Sequence, residues 1–309
     1  MRKLILIGLV GLAAQLVDGG LGMGYGVTSS SLLLLVGLTP ALASASVHLA
    51  EVGTNVASGL SHWRLGNVYW SLVLRLGVPG AAGAFTGATF LSNLSTVWAG
   101  PLMAVILAAL GAYILARFAF RPPAVSHARV TPHTSQFLVP LGLLGGFVDA
   151  TGGGGWGPVS TTSLLSAGKT APRTVIGSVD TSEFLVSLFA SIGFLAALGT
   201  SGLDFRIVGV LLVGGLIAAP LAAWLVTKLP ARVLGTAVGG LIVVTNLRNV
   251  LAALGASPTT QWVALGAVVL LWFTLVGHSL VQHRRQAAAV VAERSETLEP
   301  EPACAAPPR

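Results

Sequence analysis

Apolar residues run almost without interruption through this chain. They form blocks at 4–37, 42–60, 72–91 and 97–116. After the basic, proline-containing stretch "RFAFRPPAVSHARVTPHTS" they resume at 136–168, 174–198, 207–227, 233–252 and 261–280. A membrane-spanning helix needs about 20 consecutive apolar residues, so most blocks predict one spanning helix each. The blocks at 4–37 and 136–168 are too long for one pass, and glycines interrupt both: "DGGLGMGYG" from Asp18 and "DATGGGGWG" from Asp149. Each of these predicts two shorter helices meeting at a break.

The two long blocks are copies of one another. "GLAAQLVDGGLGMGYGVTSSSLLLLVGLTP" from Gly11 aligns with "GLLGGFVDATGGGGWGPVSTTSLLSAGKTAP" from Gly142. Asp18 falls on Asp149, Tyr25 on Trp156, and the hydroxyl cluster Thr28 to Ser31 on Val159 to Thr162. With one residue inserted, "SVHLAE" (46–51) falls on "SVDTSE" (178–183), pairing His48 with Asp180 and Glu51 with Glu183. The expected fold is an all-α polytopic membrane protein. A unit of about four helices, with glycine-broken short or re-entrant helices, occurs twice and is followed by one extra C-terminal helix. The boundaries are a first repeat at 1–116, a basic cytoplasmic linker at 117–135, a second repeat at 136–255, the additional helix at 261–280, and a polar, unstructured tail at 281–309.

Lysines and arginines set the topology. Arg117, Arg121 and Arg129 of the linker and Arg284 and Arg285 of the C-terminal flank mark the cytoplasmic side. An even number of crossings then separates them, which also brings Lys169, Arg173, Lys228 and Arg232 inside. An odd number of crossings per unit makes the halves inverted copies, a common transporter plan. Inversion places Arg64 inside but Arg2 and Lys3 outside, against the charge rule.

Composition agrees with a bilayer. Apolar residues make up 54% of the 309 positions and charged residues only 9%, against about 25% charged in soluble domains. The net charge of +7 is scattered between apolar blocks, so it reads as topology marking and not as a nucleic-acid footprint. The single cysteine, Cys304, excludes a disulfide framework or cysteine metal cluster. The start "MRKLILIGLVGLAAQ" imitates a signal peptide, but its copy recurs mid-chain, which argues for a retained helix. The expected location is the cell (inner or plasma) membrane, as a multi-pass protein.

With so few acids, each one inside an apolar block calls for a reason. Asp18, Glu51, Asp149, Asp180 and Glu183 occupy repeat-related positions; Asp204 reads as an ordinary loop residue. Intramembrane carboxylates mark ion or proton pathways by default. With His48 they are the candidate proton-coupling groups. His48 and Glu51, like Asp180 and Glu183, are spaced i, i+3 and share a helix face, which Asn55 and Ser187 extend by a turn. Hydrogen bonding between helices is the alternative, and Asp18 and Asp149 could instead cap half-helices.

The glycine breaks are the candidate substrate site. Broken backbone at membrane depth survives only when it is buried in protein or lines a cavity, and a half-helix that starts there offers N–H groups to an anion. The candidate binding residues are Gly22, Gly24, Gly26, Thr28 and Ser29 in the first half, and Gly152, Gly153, Gly154, Gly155, Trp156, Ser160 and Thr161 in the second. Close packing of small residues is the alternative. Arg75 either faces the anion path or snorkels to an interface.

These motifs, "GLLGGFVDATGGGGWGPVSTTSLL", its fainter first-half copy "GLAAQLVDGGLGMGYGVTSSSLL", and the "SVDTSE" helix, resemble the sulfite exporter TauE/SafE family of membrane transporters. The resemblance covers residues 4 to 255 and leaves out the last helix and tail. It implies movement of sulfite, sulfonates and related small organic anions across the bacterial inner membrane. The expected function is therefore a secondary transporter, exporter or permease, of such an anion, coupled to protons. Its partners are the anion, the lipid bilayer and protons, with no nucleic acid. A passive anion channel is the nearest rival. An intramembrane enzyme is a more distant one, since no activated nucleophile, paired metal ligands or cofactor motif stands in the sequence.

Overall fold

In hydrocarbon every backbone N–H and C=O must find a partner within the protein, and a helix supplies those partners locally. The computed structural model describes residues 2–21, 23–120, 133–167, 169–200, 203–226 and 230–296. Among them every regular element is helical. The first five helices are α1 (Arg2–Leu21), α2 (Tyr25–Leu35), α3 (Pro40–Arg64), α4 (Trp70–Asn93) and α5 (Thr96–Phe120). The order then recurs. After α6 (Ser135–Gly152) a π-helical turn (Gly157–Thr161) runs into α7 (Thr162–Ala167), and α8 (Pro172–Leu198), α9 (Phe205–Val226) and α10 (Ala231–Ala253) follow. A long α11 (Pro258–Glu296) closes the chain. Among the described residues, α5, α8, α10 and α11 each hold a stretch long and apolar enough to cross a membrane. The chain is thus an all-α polytopic membrane protein.

Glycine seams bring helices from different halves into backbone contact. A Cβ on Gly146 of α6 would strike the Gly80 carbonyl of α4, and one on Gly83 would strike the Leu143 carbonyl. On the other side, a Cβ on Gly11 of α1 would lie 2.5 Å from the Leu211 carbonyl oxygen of α9. Gly111, Gly235 and Gly239 seat α5 against α10 through Ile242, Phe118 and Leu115. The pairings also give direction. In α3 and α8, Asn55 meets Ser187, Gly59 meets Thr181 and His62 meets Gly177, so these helices run antiparallel. Gly111 against Ile242 and Gly235 against Phe118 make α5 and α10 antiparallel as well. By contrast α1 runs parallel to α9, and α4 runs parallel to α6 and α8.

Two apolar clusters form the core, one around each short helix. Val27 and Leu33 of α2 pack with Met103 and Leu107 of α5 and Leu211 of α9. Trp156 and Leu164 pack with Leu76 of α4 and Val179, Val186 and Phe194 of α8. Helix α11 leans on α10, where Gly240 lies under the Trp272 indole and Thr236 hydrogen-bonds Ser279 at 3.0 Å. Its remaining faces are largely exposed to the lipid side.

Two boundaries differ from the sequence expectation. Helix α11 does not stop at 280 but continues to Glu296, because "QAAAVVAERSE" is rich in strong helix formers; the rest of the expected tail, 297–309, lies outside the described residues. Likewise α5 continues through Arg117 to Phe120, so the first residues assigned to the linker are helical, and residues 121–132 lie outside the described ones.

The seams carry a direct test. Gly83→Ala should lower the thermal midpoint in detergent, because overpacking of this kind costs about 1–3 kcal/mol. Gly209→Ala, on α9 with nothing within 4 Å of its Cβ position, should leave the midpoint unchanged or raise it.

Candidate functional site

Each break is a turn that only glycine adopts without strain. Gly24 has φ of 113°, and Gly153, Gly154 and Gly155 have φ of 69°, 147° and 153°, a region costly for residues with a Cβ. The short helices that follow are capped by carboxylates seven residues upstream. The Tyr25 N–H donates to Asp18 Oδ1 at 3.2 Å, and the Trp156 N–H donates to Asp149 Oδ1 at 2.9 Å. Of the two sequence readings of these acids, the geometry displays capping, favoured by the positive end of each helix dipole.

The breaks lie against one another. A Cβ on Gly26 would sit 2.6 Å from Gly154 Cα and 3.1 Å from both the Gly153 carbonyl oxygen and Glu51 Oε1. A Cβ on Gly154 would strike the Val27 nitrogen. Carbonyls freed at the end of α6 are taken up by the other half: Ser30 donates to the Gly153 oxygen and Ser44 to the Ala150 oxygen at 2.6 Å. Asn246 of α10 donates to Ser31 Oγ at 2.9 Å.

Helix α3 delivers the charged groups to this junction. His48 Nδ1 is 3.0 Å from Glu51 Oε2 and 3.8 Å from Asp149 Oδ2, with the three side chains 0%, 3% and 1% exposed. Phe194 stacks on the imidazole at 6.2 Å. From α8, Ser187 donates to Glu51 Oε2 at 3.5 Å, and Asn55 donates to Ser187 Oγ at 3.3 Å. Glu183, half-buried, lies within electrostatic reach of Glu51, Asp149, Asp18 and Asp180.

The expected site residues divide. His48, Glu51 and Asp149 form one cluster, and Asp180 stands outside it, accepting from Ser58 Oγ at 2.7 Å with His62 Nε2 at 4.0 Å. In the hydroxyl run, Ser30 and Ser31 are engaged as described, whereas Thr28 Oγ1 and Ser29 Oγ are buried without a partner. In the second half Thr162 bonds the Pro158 oxygen, Thr161 is buried, and Ser160 Oγ is unpartnered. Gly152 packs on Ile106, and Gly22 lies outside the described residues. The fully buried Trp156 donates from its indole to the Val179 oxygen at 3.1 Å, with its ring against Gly80; its contacts anchor the short helix to α4 and α8. Arg75 is exposed, as snorkelling requires.

Ser44 and Asn246 were not among the expected site residues, nor were Ser58 and His62. A signal existed for the last two: His48, Glu51, Asn55, Ser58 and His62 follow one another at 3, 4, 3 and 4 residues, a single helix face.

The profile of the sulfite exporter TauE/SafE family matches residues 7–249. The chain belongs to this family. It is also 48% identical over 277 residues, 90% of each chain, to the probable membrane transporter protein YtnM of Bacillus subtilis (strain 168). No solved structure matches it. The family match ends before α11, as the resemblance in the motifs did. The protein is therefore a multi-pass membrane transporter of the TauE/SafE family.

Capping and charge can be separated at Asp149. Asp149→Asn keeps a carbonyl oxygen for the Trp156 N–H and should retain the thermal midpoint in detergent to within a few degrees. Asp149→Ala removes the acceptor and should cost about 1–2 kcal/mol, read as a clear drop in that midpoint.

Proposed function

We propose that this TauE/SafE protein is a secondary transporter that carries a small anion, such as sulfite or a sulfonate, together with protons, binding it where the two glycine breaks meet. The observation that carries this reading is a set of buried polar atoms without hydrogen-bond partners beside the two breaks: Thr28 Oγ1, Ser29 Oγ, Ser160 Oγ and His48 Nε2. A buried polar group left unpaired costs about 1–3 kcal/mol, so a cluster of them is expensive unless something is meant to bind there. Hydroxyls and an imidazole are hydrogen-bond donors suited to the oxygens of a small oxyanion.

Proton coupling follows from the neighbours. An anion at this place comes close to the Asp149 and Glu51 carboxylates. At an effective dielectric constant of about 20, two like charges 4 Å apart repel by roughly 4 kcal/mol. Protonation of the cluster removes that repulsion, so protons favour the anion and, by linkage, the anion favours protons to the same extent. Glu51, Glu183, His48 and Asp180 are the groups assigned to this protonation, with Asp18 and Asp149 combining it with their capping role. The two halves are taken as inverted repeats, a plan supported by the antiparallel course of the equivalent pairs α3 with α8 and α5 with α10, and one that places substrate near the midplane. The family description, sulfite exporter, and the relative's designation as a probable membrane transporter support the class of function.

Uptake of radiolabelled sulfite into proteoliposomes tests the reading. An imposed pH gradient should drive accumulation, whereas flux indifferent to the gradient would identify a passive channel. Replacing Glu51 and Glu183 together by Gln should abolish the response to the gradient, and a retained response removes them from the mechanism. Ser29→Ala combined with Ser160→Ala should raise the half-saturating sulfite concentration about tenfold or more, since each hydrogen bond contributes roughly 0.5–1.5 kcal/mol.

A further inference from the structure

We infer that the α3–α8 interface is a proton path leading from the membrane surface to the central cluster, with His62 and Asp180 as its outer port. This rests on the proton-coupled reading above and extends it to residues outside the substrate site.

The path is built from two facing polar stripes. On α3 the stripe is His48, Glu51, Asn55, Ser58 and His62. Antiparallel to it on α8 run Ser187, Glu183 and Asp180. The contacts form a series. His62 Nε2 lies 4.0 Å from Asp180 Oδ2, and Ser58 Oγ donates to the same oxygen at 2.7 Å. One turn further along α8, on the face that Asp180 and Ser187 share, Glu183 stands between the outer and the inner contacts. Ser187 donates to Glu51 Oε2, and because its own oxygen accepts from Asn55 the hydroxyl hydrogen stays directed at the carboxylate. Glu51 and Asp149 then hold His48 between them. From His62 to His48 the stripe spans about 21 Å of helix at 1.5 Å per residue.

Exposure falls along the series as a path from water requires. The side chains of His62 and Asp180 are 26% and 16% exposed, those of Glu51 and His48 3% and 0%. His62 is fitted for entry. Its Nδ1 is buried against Gly177, where a Cβ would come within 3.0 Å of it, so Nε2, which faces Asp180, is the nitrogen that can relay a proton. Nε2 takes a proton from the surface and passes it to the Asp180 carboxylate, and the ring ends neutral with its Nδ1 proton in place.

The other titratable groups on the elements around His62 do not compete for this role. Arg64 on α3, Arg173 on α8 and Arg75 on α4 are exposed. Tyr69 in the turn before α4 gives its backbone N–H to Ser178. Among the described residues, Asp180 is the only carboxylate within 4.0 Å of the imidazole.

The experiment is sulfite-driven proton movement in proteoliposomes of the full chain loaded with a pH-sensitive dye. Monodisperse elution of each variant verifies that it is folded. For the wild type, a sulfite gradient should move protons. His62→Ala should slow that movement by about 10²-fold, the lower end for loss of a positioned proton-transfer group, and the rate should recover with added imidazole or at lower external pH. Asp180→Asn should be equally slow and recover with neither. Proton movement in His62→Ala with the wild-type rate and pH profile would overturn the port. So would a loss that neither imidazole nor acid restores, which is the mark of a merely structural tie. A wild type that moves sulfite without protons, or does not move it at all, overturns the functional reading instead.

Discussion

The structure depends on how two interrupted helices are tolerated inside a membrane. An intact helix satisfies its own backbone, but each break frees N–H and C=O groups that hydrocarbon cannot serve. The protein answers in the same way twice. A carboxylate seven residues upstream takes the first N–H of the helix that follows, Asp18 for Tyr25 and Asp149 for Trp156. Carbonyls left at the end of α6 go to hydroxyls of the opposite half, Ser30 and Ser44. The second break could not stand alone, because Ser30 and Ser44, which take its carbonyls, come from the first half. The glycines permit the left-handed angles and, at Gly26 and Gly154, let two backbones touch.

This solution has an electrostatic consequence. Carboxylates recruited as caps bring negative charge to a dry junction, where Glu51 already lies and where His48 is the nearest cation-forming group. Buried charges of one sign are tolerated only when paired or neutralised. In the proposed function the protonation of this group, a histidine between two carboxylates, sets how well it admits an anion. Structural need and the proposed transport chemistry thus draw on the same side chains, which is why single deletions at Asp149 mix the two and charge-only changes are the informative ones.

Much of this was legible in the sequence, and for physical reasons. A duplicated pattern with acids at matching positions identified the breaks, and the spacing of His48 and Glu51 placed them on one face. The bilayer helped, because it leaves so few admissible polar residues that each one stands out. Roles were harder to read. Thr28 and Ser29 differ from Ser30 and Ser31 only in what they meet across the junction, and those partners, Gly153 and Asn246, are distant in sequence. The repeat aligned Asp180 with His48, but equivalent positions on antiparallel helices sit at different depths, so Asp180 pairs instead with Ser58 and His62. Trp156 looked like a wall of the site because it follows the glycines. Its depth against Gly80 could not be inferred without knowing that α4 packs on α6 and α8.

The same interlocking limits how the protein can move. Close backbone contacts such as Gly80 with Gly146 and Gly11 with Leu211 join a helix of one sequence half to a helix of the other. A motion that rocked residues 2–120 as one body against 135–253 would have to open both seams, and close-packed interfaces of that kind do not deform gradually. The bodies that can stay rigid are mixed ones: α4 with α6 and α8 on one side, α1 with α9 on the other. They meet across the paired breaks, where Gly26 and Gly154 touch, and through α3 and α8, where the contacts are side-chain hydrogen bonds. Those contacts are also the ones whose strength changes with protonation. In this architecture the surface without tight backbone seams, between α3 and α8, is the one that carries the ionisable groups, and in the proposed function a proton arriving there alters the bonds that hold the two bodies in register.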